Sequence, residues 1–155
     1  MGACPRSLYP SRSGRLSRLE KQHFPAYANE KNGIGLPPGN VPSVTFRLTL
    51  GKRCIGVANI RPKLNETLKR CGGHLEFCIR PCERGKGLSR KILPLLFGKS
   101  AELGIGLLLM TCTEDNLPSI RINEAFPFTR MERDEFVFDG VVKKIRRYWR
   151  ELERA

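Results

Sequence analysis

Residues 72–89, GGHLEFCIRPCERGKGLS, determine how the rest of the sequence is interpreted. Residues 74–79 predict a buried strand, and the basic, glycine-bearing loop at residues 84–87 leads directly into a helical pattern. Glycine lets the backbone approach an anion, and a helix start offers unpaired N–H groups and a partial positive charge. The segment therefore predicts a phosphate-binding loop between a strand and a helix. It lacks the GxxxxGK[ST] of a P-loop and the GxGxxG of a dinucleotide fold.

The chain has 155 residues, which predicts a single domain at residues 15–155 preceded by a disordered basic arm at residues 1–14. The formal net charge of +13 favours polyanions, acidic surfaces or phosphate-rich small molecules without choosing among them. No apolar run is long enough to cross a membrane, and no secretory signal is evident, so we expect a cytoplasmic protein with reduced thiols.

The cysteines contain no CxxC pair, so we expect no metal site. Cys78 and Cys112 are predicted to be small buried hydrophobic residues.

Around the loop, the pattern alternates between strands and helices. Strands are predicted at residues 44–50, 54–60 and 107–112, and a hairpin is predicted at Asp139-Gly140. Helices are predicted at residues 13–27, 62–70, 88–103 and 119–125. In the third of these helices, an apolar face is expected at Ile92, Leu95, Leu96 and Leu103, with a distortion at Pro94. This order predicts an α/β fold with a mixed sheet.

Five ordered stretches carry a resemblance to a known family: residues 59–66, 72–74, 79–87, 115–119 and 145–149. Over residues 41–152 the chain resembles the GCN5-related N-acetyltransferases, in their bacterial predicted-acetyltransferase branch. Arg84-x-x-Gly87-x-Ser89 is similar to that family's pyrophosphate loop. The resemblance implies a mostly antiparallel sheet with two central parallel strands that splay apart, and helices on both faces.

The resemblance also implies acetyl-CoA as co-substrate, bound between the strands at residues 74–79 and 107–112. The pantetheine arm would pair with the backbone of the first strand, the loop would hold the pyrophosphate, and the next helix start would contact the other side. The implied cofactor-binding residues are Phe77, Cys78, Ile79, Arg84, Gly85, Lys86, Gly87, Leu88, Ser89, Asn116 and Ser119. For Arg84 and Lys86 the alternative is plain solvated surface, and Asn116 and Ser119 also suit a helix N-cap.

The implied reaction is direct attack of a primary amine on the thioester, which requires removal of a proton from the amine. Strand alternation puts His74, Glu76 and Cys78 on one face. His74 lies where the resemblance places a base, and Glu76 is the alternative base or an anchor for the amine. The alternative for both is a hydrogen-bonded residue at a strand start.

Two departures from the family pattern bear on activity. Asn123 stands where many members carry a tyrosine that serves as acid to the leaving thiolate. The first strand of the fold is expected to be missing, which would expose a sheet edge and favour a homodimer. The two departures leave a CoA-binding fold without catalysis as one alternative, and the net charge of +13 leaves a basic nucleic-acid-binding module as another. Nucleic acid is disfavoured because aromatic residues do not interleave with basic ones as stacking platforms do. The sequence does not identify the acceptor amine.

Overall fold

The computed structural model describes residues 18–21, 36 and 39–153. The predicted disordered arm at residues 1–14 lies outside these residues. The predicted helix at residues 13–27 is wrong where it is described, because Arg18–Lys21 is a strand, β1.

Strand β1 pairs antiparallel with β2, Val44–Leu50, in a register that sets Arg18 opposite Thr49. The expectation of a missing N-terminal strand is therefore wrong. Pairing with β1 satisfies backbone groups along the outer edge of β2. The helix at residues 13–27 was predicted from the spacing of its apolar residues, and that spacing does not reveal that β2 offers an edge for pairing. Strand β1 covers the edge of β2 whose expected exposure favoured a homodimer.

The N-terminal sheet has four antiparallel strands in the order β1-β2-β3-β4. Strand β3 is Arg53–Ile60 and β4 is Leu75–Ile79. Between them lies a short helix, α1, at Glu66–Arg70, which begins later than predicted. Asn65 sets that start, because its side chain accepts a hydrogen bond from the Leu68 backbone N–H at 2.9 Å.

The C-terminal sheet has three strands in the order β5-β7-β6, and both of its pairings are antiparallel. Strand β5 is Leu107–Thr113, β6 is Arg130–Phe138 and β7 is Val141–Glu151. The predicted hairpin is confirmed: Asp139 and Gly140 have φ of 46° and 78°, as a tight turn between right-twisted strands requires. Helix α3, Leu117–Glu124, follows β5.

Helix α2, Leu88–Glu102, packs Ile92, Leu93 and Leu96 into the core and keeps Pro94 inside the helix. Leu95 is 42% exposed, so its predicted place on the apolar face is wrong. The buried positions recur every three or four residues from Leu88, and this stripe passes through Leu93 instead of Leu95. None of the described helices is long and apolar enough to span a membrane.

Two buried clusters hold the fold together. The larger one joins α2 to both sheets through residues such as Leu48, Ile60 and Leu108. The smaller one joins α3 to the C-terminal sheet through Cys112, Ile120 and Tyr148. The burial predicted for Cys112 is confirmed, whereas Cys78 is exposed, because it alternates with the buried Leu75 and Ile79 on β4.

The two sheets meet at the start of β4, where an isolated antiparallel bridge joins Gly73 to Met110. The His74 N–H donates to the Leu109 carbonyl there at 2.9 Å. Beyond this bridge, β4 and β5 form no ladder with each other within the described residues. The fold class predicted from the sequence, an α/β protein with a mostly antiparallel sheet that opens between two central strands, is confirmed. The opening between β4 and β5 positions the site described next.

Candidate cofactor cleft and active site

A cleft of about 840 Å³ occupies the opening between β4 and β5, and the starts of α2 and α3 complete its wall. The structure brings most of the predicted site residues together on this wall. Those that line it are Glu76, Phe77, Cys78, Ile79, Arg84, Gly85, Gly87, Leu88, Ser89, Asn116 and Ser119. Lys86 and His74 are not part of the lining.

The closed end of the cleft depends on a close backbone approach at Gly73. Gly73 has φ of +68°, and a Cβ there would lie 2.4 Å from the Leu109 carbonyl oxygen. The neighbouring Gly72 N–H donates to the Thr111 hydroxyl oxygen at 2.8 Å. Glycine is needed at position 73 because any side chain would push the two strands apart. The sequence gave no sign of the partner that Gly73 has on β5.

His74 ties the same two strands together with its side chain. The Leu109 N–H donates to His74 Nδ1 at 2.9 Å, and the Arg61 N–H donates to the His74 carbonyl at 2.8 Å. Burial lowers the pKa of His74 below its ordinary 6.5, which favours the neutral ring. With Nδ1 accepting, the neutral ring carries its proton on Nε2, which leaves no free lone pair for a base. The base role of His74 stays a prediction, and this geometry counts against it.

Glu76 lies on the solvent-facing side of β4, where it lines the cleft. Its carboxylate pairs with the Arg61 guanidinium at 2.5 Å, and its side chain keeps 67% of its surface exposed. An exposed carboxylate on the cleft wall can take a proton from an amine directly or through a water molecule. The sequence did not indicate Arg61 as part of the site, although Arg61 lies in residues 59–66, one of the five stretches that carry the family resemblance.

One backbone edge of β4 faces the cleft. The other edge is occupied by β3, with Phe77 opposite Ala58 and Ile79 opposite Gly56. Gly56 is required for that pairing, because a Cβ there would come within 2.2 Å of the Cys78 carbonyl oxygen. The edge that faces the cleft pairs with no strand of the described ranges, and such a strand edge can accept an extended, amide-bearing chain as an additional strand.

The predicted phosphate loop has the backbone that anion binding needs. Gly85 and Gly87 have φ of +76° and +69°, and apart from the adjacent residues no atom of the described part of the chain would lie within 4 Å of a Cβ at either position, so the loop has open space beside it. Gly87 is the N-cap of α2, and the buried Leu88 anchors the first turn. Arg84 folds back onto β4, where its Nε donates to the Ile79 carbonyl at 2.9 Å. The loop therefore presents backbone N–H groups, and Arg84 fixes its shape.

Glu83 is a buried carboxylate directly before the loop, and it was missed by the sequence reasoning. Its side chain is 6% exposed and pairs with Arg53 at 3.2 Å and with Lys86 at 3.0 Å. Lys86 therefore pairs with the acid that precedes its own loop, and Glu83 itself lines the cleft. An acidic residue between Arg80 and Arg84 was the available signal.

Asn116 and Ser119 form the start of α3 on the β5 side of the cleft. The Asn116 side chain accepts a hydrogen bond from the Ser119 N–H at 3.2 Å, which confirms the N-cap role. Both residues also line the cleft, so capping leaves them available to a ligand. One turn further along α3, Asn123 lines the cleft beside Cys112. Burial raises the pKa of the Cys112 thiol, which stays protonated at neutral pH.

Known proteins match this chain in fold and not in sequence. No protein-family model matches the chain, and no curated protein matches it either. Solved structures do match. A chimera of the Vibrio cholerae spermidine N-acetyltransferase SpeG with hSSAT has a TM-score of 0.62 at 14% identity, over 87% of this chain and 96% of that one. An acetyltransferase of the GNAT family from Streptococcus pneumoniae has a TM-score of 0.53 at 13% identity, over 72% and 67%. The chain has the fold of the GCN5-related N-acetyltransferases.

A third structure with this fold carries a ligand. The structure of yncA from Salmonella typhimurium with its cofactor acetyl-CoA has a TM-score of 0.53 at 19% identity, over 73% of this chain and 66% of that one. At these identities the structural similarity shows the fold alone, so the activity of this chain has to be argued from its own residues.

The residues of this N-acetyltransferase fold fit acetyl-CoA. The loop glycines leave room for a phosphate, β4 offers a free edge, and Asn123 Oδ1 is a buried acceptor without a protein partner in the described part of the chain. Among the described residues, no group of three or more His, Cys, Asp or Glu side chains is arranged to hold a metal ion.

Proposed function

We propose that this protein is an acetyl-CoA-dependent N-acetyltransferase that moves an acetyl group to a primary amine by direct attack in a ternary complex. One observation carries the proposal: the cleft combines a free strand edge with a glycine loop at a helix start. An arm that bears amides suits the edge, and a pyrophosphate suits the loop. When bound, acetyl-CoA supplies the activated thioester.

Each wall of the cleft binds one part of the donor. The backbone of Phe77, Cys78 and Ile79 pairs with the pantetheine arm along β4. The N–H groups from Gly85 to Ser89 hold the pyrophosphate, and the partial positive charge at the start of α2 adds to their attraction. Asn116 and Ser119 contact the donor from the β5 side.

Glu76 removes the proton from the attacking amine in this proposal. Its carboxylate is on the cleft wall, and the pairing with Arg61 holds it in place. His74 holds the closed end of the cleft through Leu109, and it positions β4 without exchanging a proton. Solvent protonates the departing thiolate, because Asn123 cannot act as an acid.

Calorimetric titration with acetyl-CoA followed by thiol release on an amine panel tests the proposal. The panel includes spermidine, because the SpeG chimera derives from a spermidine N-acetyltransferase, together with amino acids, aminoglycosides and a lysine peptide. We expect saturable binding and release of thiol with at least one amine. Absence of binding would refute the proposal, and binding without turnover on any amine would favour a CoA-binding fold without catalysis.

The role of Glu76 is tested by Glu76→Gln with Glu66→Gln as the matched control. Glu66 is an exposed acid on α1, paired with Lys69, outside the cleft lining. Loss of a general base lowers kcat by about 10²–10⁴-fold while acetyl-CoA affinity is kept. An unchanged kcat and pH–rate profile in Glu76→Gln would remove Glu76 as the base.

A further inference from the structure

One end of the C-terminal sheet projects beyond its third strand. Strand β5 pairs with β7 as far as Ile145, whereas the pairing of β6 with β7 continues to Phe138 and Val141. Residues 136–143, called the ribbon below, therefore form two strands that pair with no third strand in the described part of the chain. A two-stranded hairpin is marginally stable in water when nothing packs against it. The ribbon is therefore a candidate for contact with another molecule.

The ribbon is apolar on both of its faces. Strand alternation and the register with β7 put Phe136, Phe138 and Val141 on one face. Val137 and Val142 lie opposite each other on the second face. The side chains that are between 40% and 59% exposed are Val137, Phe138, Val141 and Val142. A contiguous exposed apolar surface of this kind marks an interaction site.

Contacts from α1 restrict where a partner can bind. Arg70 lies over the Phe136 ring at 5.6 Å, so the last residue of α1 stands on the first face. At the base of the ribbon, the Glu135 N–H donates to Asp134 Oδ1 at 2.8 Å, and the Glu135 carbonyl accepts from Arg70 at 2.6 Å. Side chains therefore occupy both backbone groups of Glu135, which blunts the edge of β6 against an added strand. The second face, which carries Val137 and Val142, is the open surface.

The charges beside this face indicate a second copy of the same chain. Asp139 lies exposed at the tip of the ribbon, and the exposed Lys144 follows the ribbon at its base. On a two-fold axis that sets two ribbons antiparallel, the tip of each ribbon lies beside the base of the other. The Asp139 carboxylate of each copy then meets the partner's Lys144, so the surface is complementary to itself. The same acid at the tip is repelled by an anionic membrane.

We propose that the face of the ribbon that carries Val137 and Val142 is the contact surface of a two-fold homodimer. The proposal goes beyond the proposed function and does not depend on it. A stable interface buries about 800 Å² on each partner, which is more than one face of a short ribbon offers. The dimer is therefore expected to be weak and to dissociate at micromolar concentrations.

Sedimentation velocity of the full chain, from low micromolar to near-millimolar concentration, tests the proposal. We expect the sedimentation coefficient of wild type to rise from the monomer value toward the dimer value. The double variant Val137→Thr/Val142→Thr keeps the shape and the strand preference of both residues but puts hydroxyl groups into the contact. Burying unpaired hydroxyl groups raises the dissociation constant at least about tenfold. A wild type that stays monomeric throughout, or a double variant with an unchanged dissociation constant, would overturn the proposal.

Val57→Thr is the matched control. Val57 is 44% exposed on β3, in the other sheet, so its replacement leaves the dissociation constant within about twofold of wild type. An equal rise in the control and in the double variant would assign the effect to a general loss of packing and overturn the proposal. If wild type is monomeric and binds vesicles that contain phosphatidylserine, and the double variant does not, the ribbon contacts lipid and the homodimer is overturned.

The antiparallel arrangement has its own test, which also serves if the double variant does not fold. Asparagine tolerates the backbone of Asp139, whose φ is 46°, so Asp139→Asn keeps the turn. Asp139→Asn and Lys144→Gln each raise the dissociation constant by about two- to tenfold, and the two changes together raise it no further, because they remove the same ion pair. Unchanged dissociation constants, or effects that add in full, would overturn this arrangement of the dimer.

Discussion

Gly73→Ala measures what the contact between the two sheets contributes to stability. The substitution forces alanine into a backbone with φ of +68°, which costs about 1–2 kcal/mol. It also sets a Cβ 2.4 Å from the Leu109 carbonyl oxygen, closer than real Cβ atoms come, so β4 and β5 must separate. Separation breaks the two hydrogen bonds between His74 and Leu109, each contributing about 0.5–1.5 kcal/mol. The expected total loss in unfolding free energy is about 2–5 kcal/mol.

Gly104→Ala is the control that measures only the free-energy cost of an alanine at positive φ. Gly104 follows α2 with φ of +85°, and a Cβ there would meet no atom within 4 Å among the described residues other than its chain neighbours. Its loss is therefore about 1–2 kcal/mol. Urea unfolding is followed by the fluorescence of Trp149, the single tryptophan of the chain, which lies on β7. The reasoning is refuted if the two variants lose the same free energy within about 0.5 kcal/mol, the usual error of such comparisons.

Three further perturbations follow from the described contacts. His74→Leu leaves the Leu109 N–H unpaired and lowers the unfolding free energy by about 1–3 kcal/mol in urea at neutral pH. Burial lowers the pKa of His74 in the folded protein. The contribution of His74 to the unfolding free energy is therefore complete above its ordinary pKa of 6.5 and is lost as pH falls through the folded value. The same urea series at lower pH should show a smaller difference in unfolding free energy between wild type and variant. The hydrogen bond from Arg70 holds the pKa of Asp134 at about 2, so Asp134 stabilises the fold above its ordinary 3.8 and loses that effect toward about pH 2; Asp134→Asn should flatten this part of an acid-unfolding curve. Glu83→Leu leaves Lys86 without its buried partner and should weaken acetyl-CoA binding by distorting the loop, which calorimetry would detect against an unaffected Glu102→Leu control.

The sequence predicted the parts of the site that short-range rules determine. The strand at residues 74–79, the glycine loop and the helix after it follow from local periodicity and glycine placement, and the structure has all three. The Asp139-Gly140 hairpin was predicted for the same reason. In each case the chemistry that selects the conformation lies within a few residues.

What the sequence could not show depends on partners distant along the chain. Strand β1 exists because β2 offers it an edge, and nothing within Arg18–Lys21 encodes that. The Nδ1 of His74 is occupied by the N–H of Leu109, so a residue suited by type to proton transfer is committed to holding two strands together. The core packs against one face of β4 and one face of the helix Leu88–Glu102, and this choice of face leaves Cys78 and Leu95 on the exposed sides.

The strand order of the C-terminal sheet has a consequence for synthesis of the protein. Strand β7 is the middle strand of that sheet and the last of its three strands to be synthesised. Neither β5 nor β6 can therefore pair within the sheet before β7 is available. Until residues 141–151 leave the ribosome, β5 has no partner in its own sheet, and its apolar Leu108, Leu109 and Met110 are available for wrong contacts. A nascent chain stalled before β7 should therefore recruit chaperones, and release of β7 should end that association.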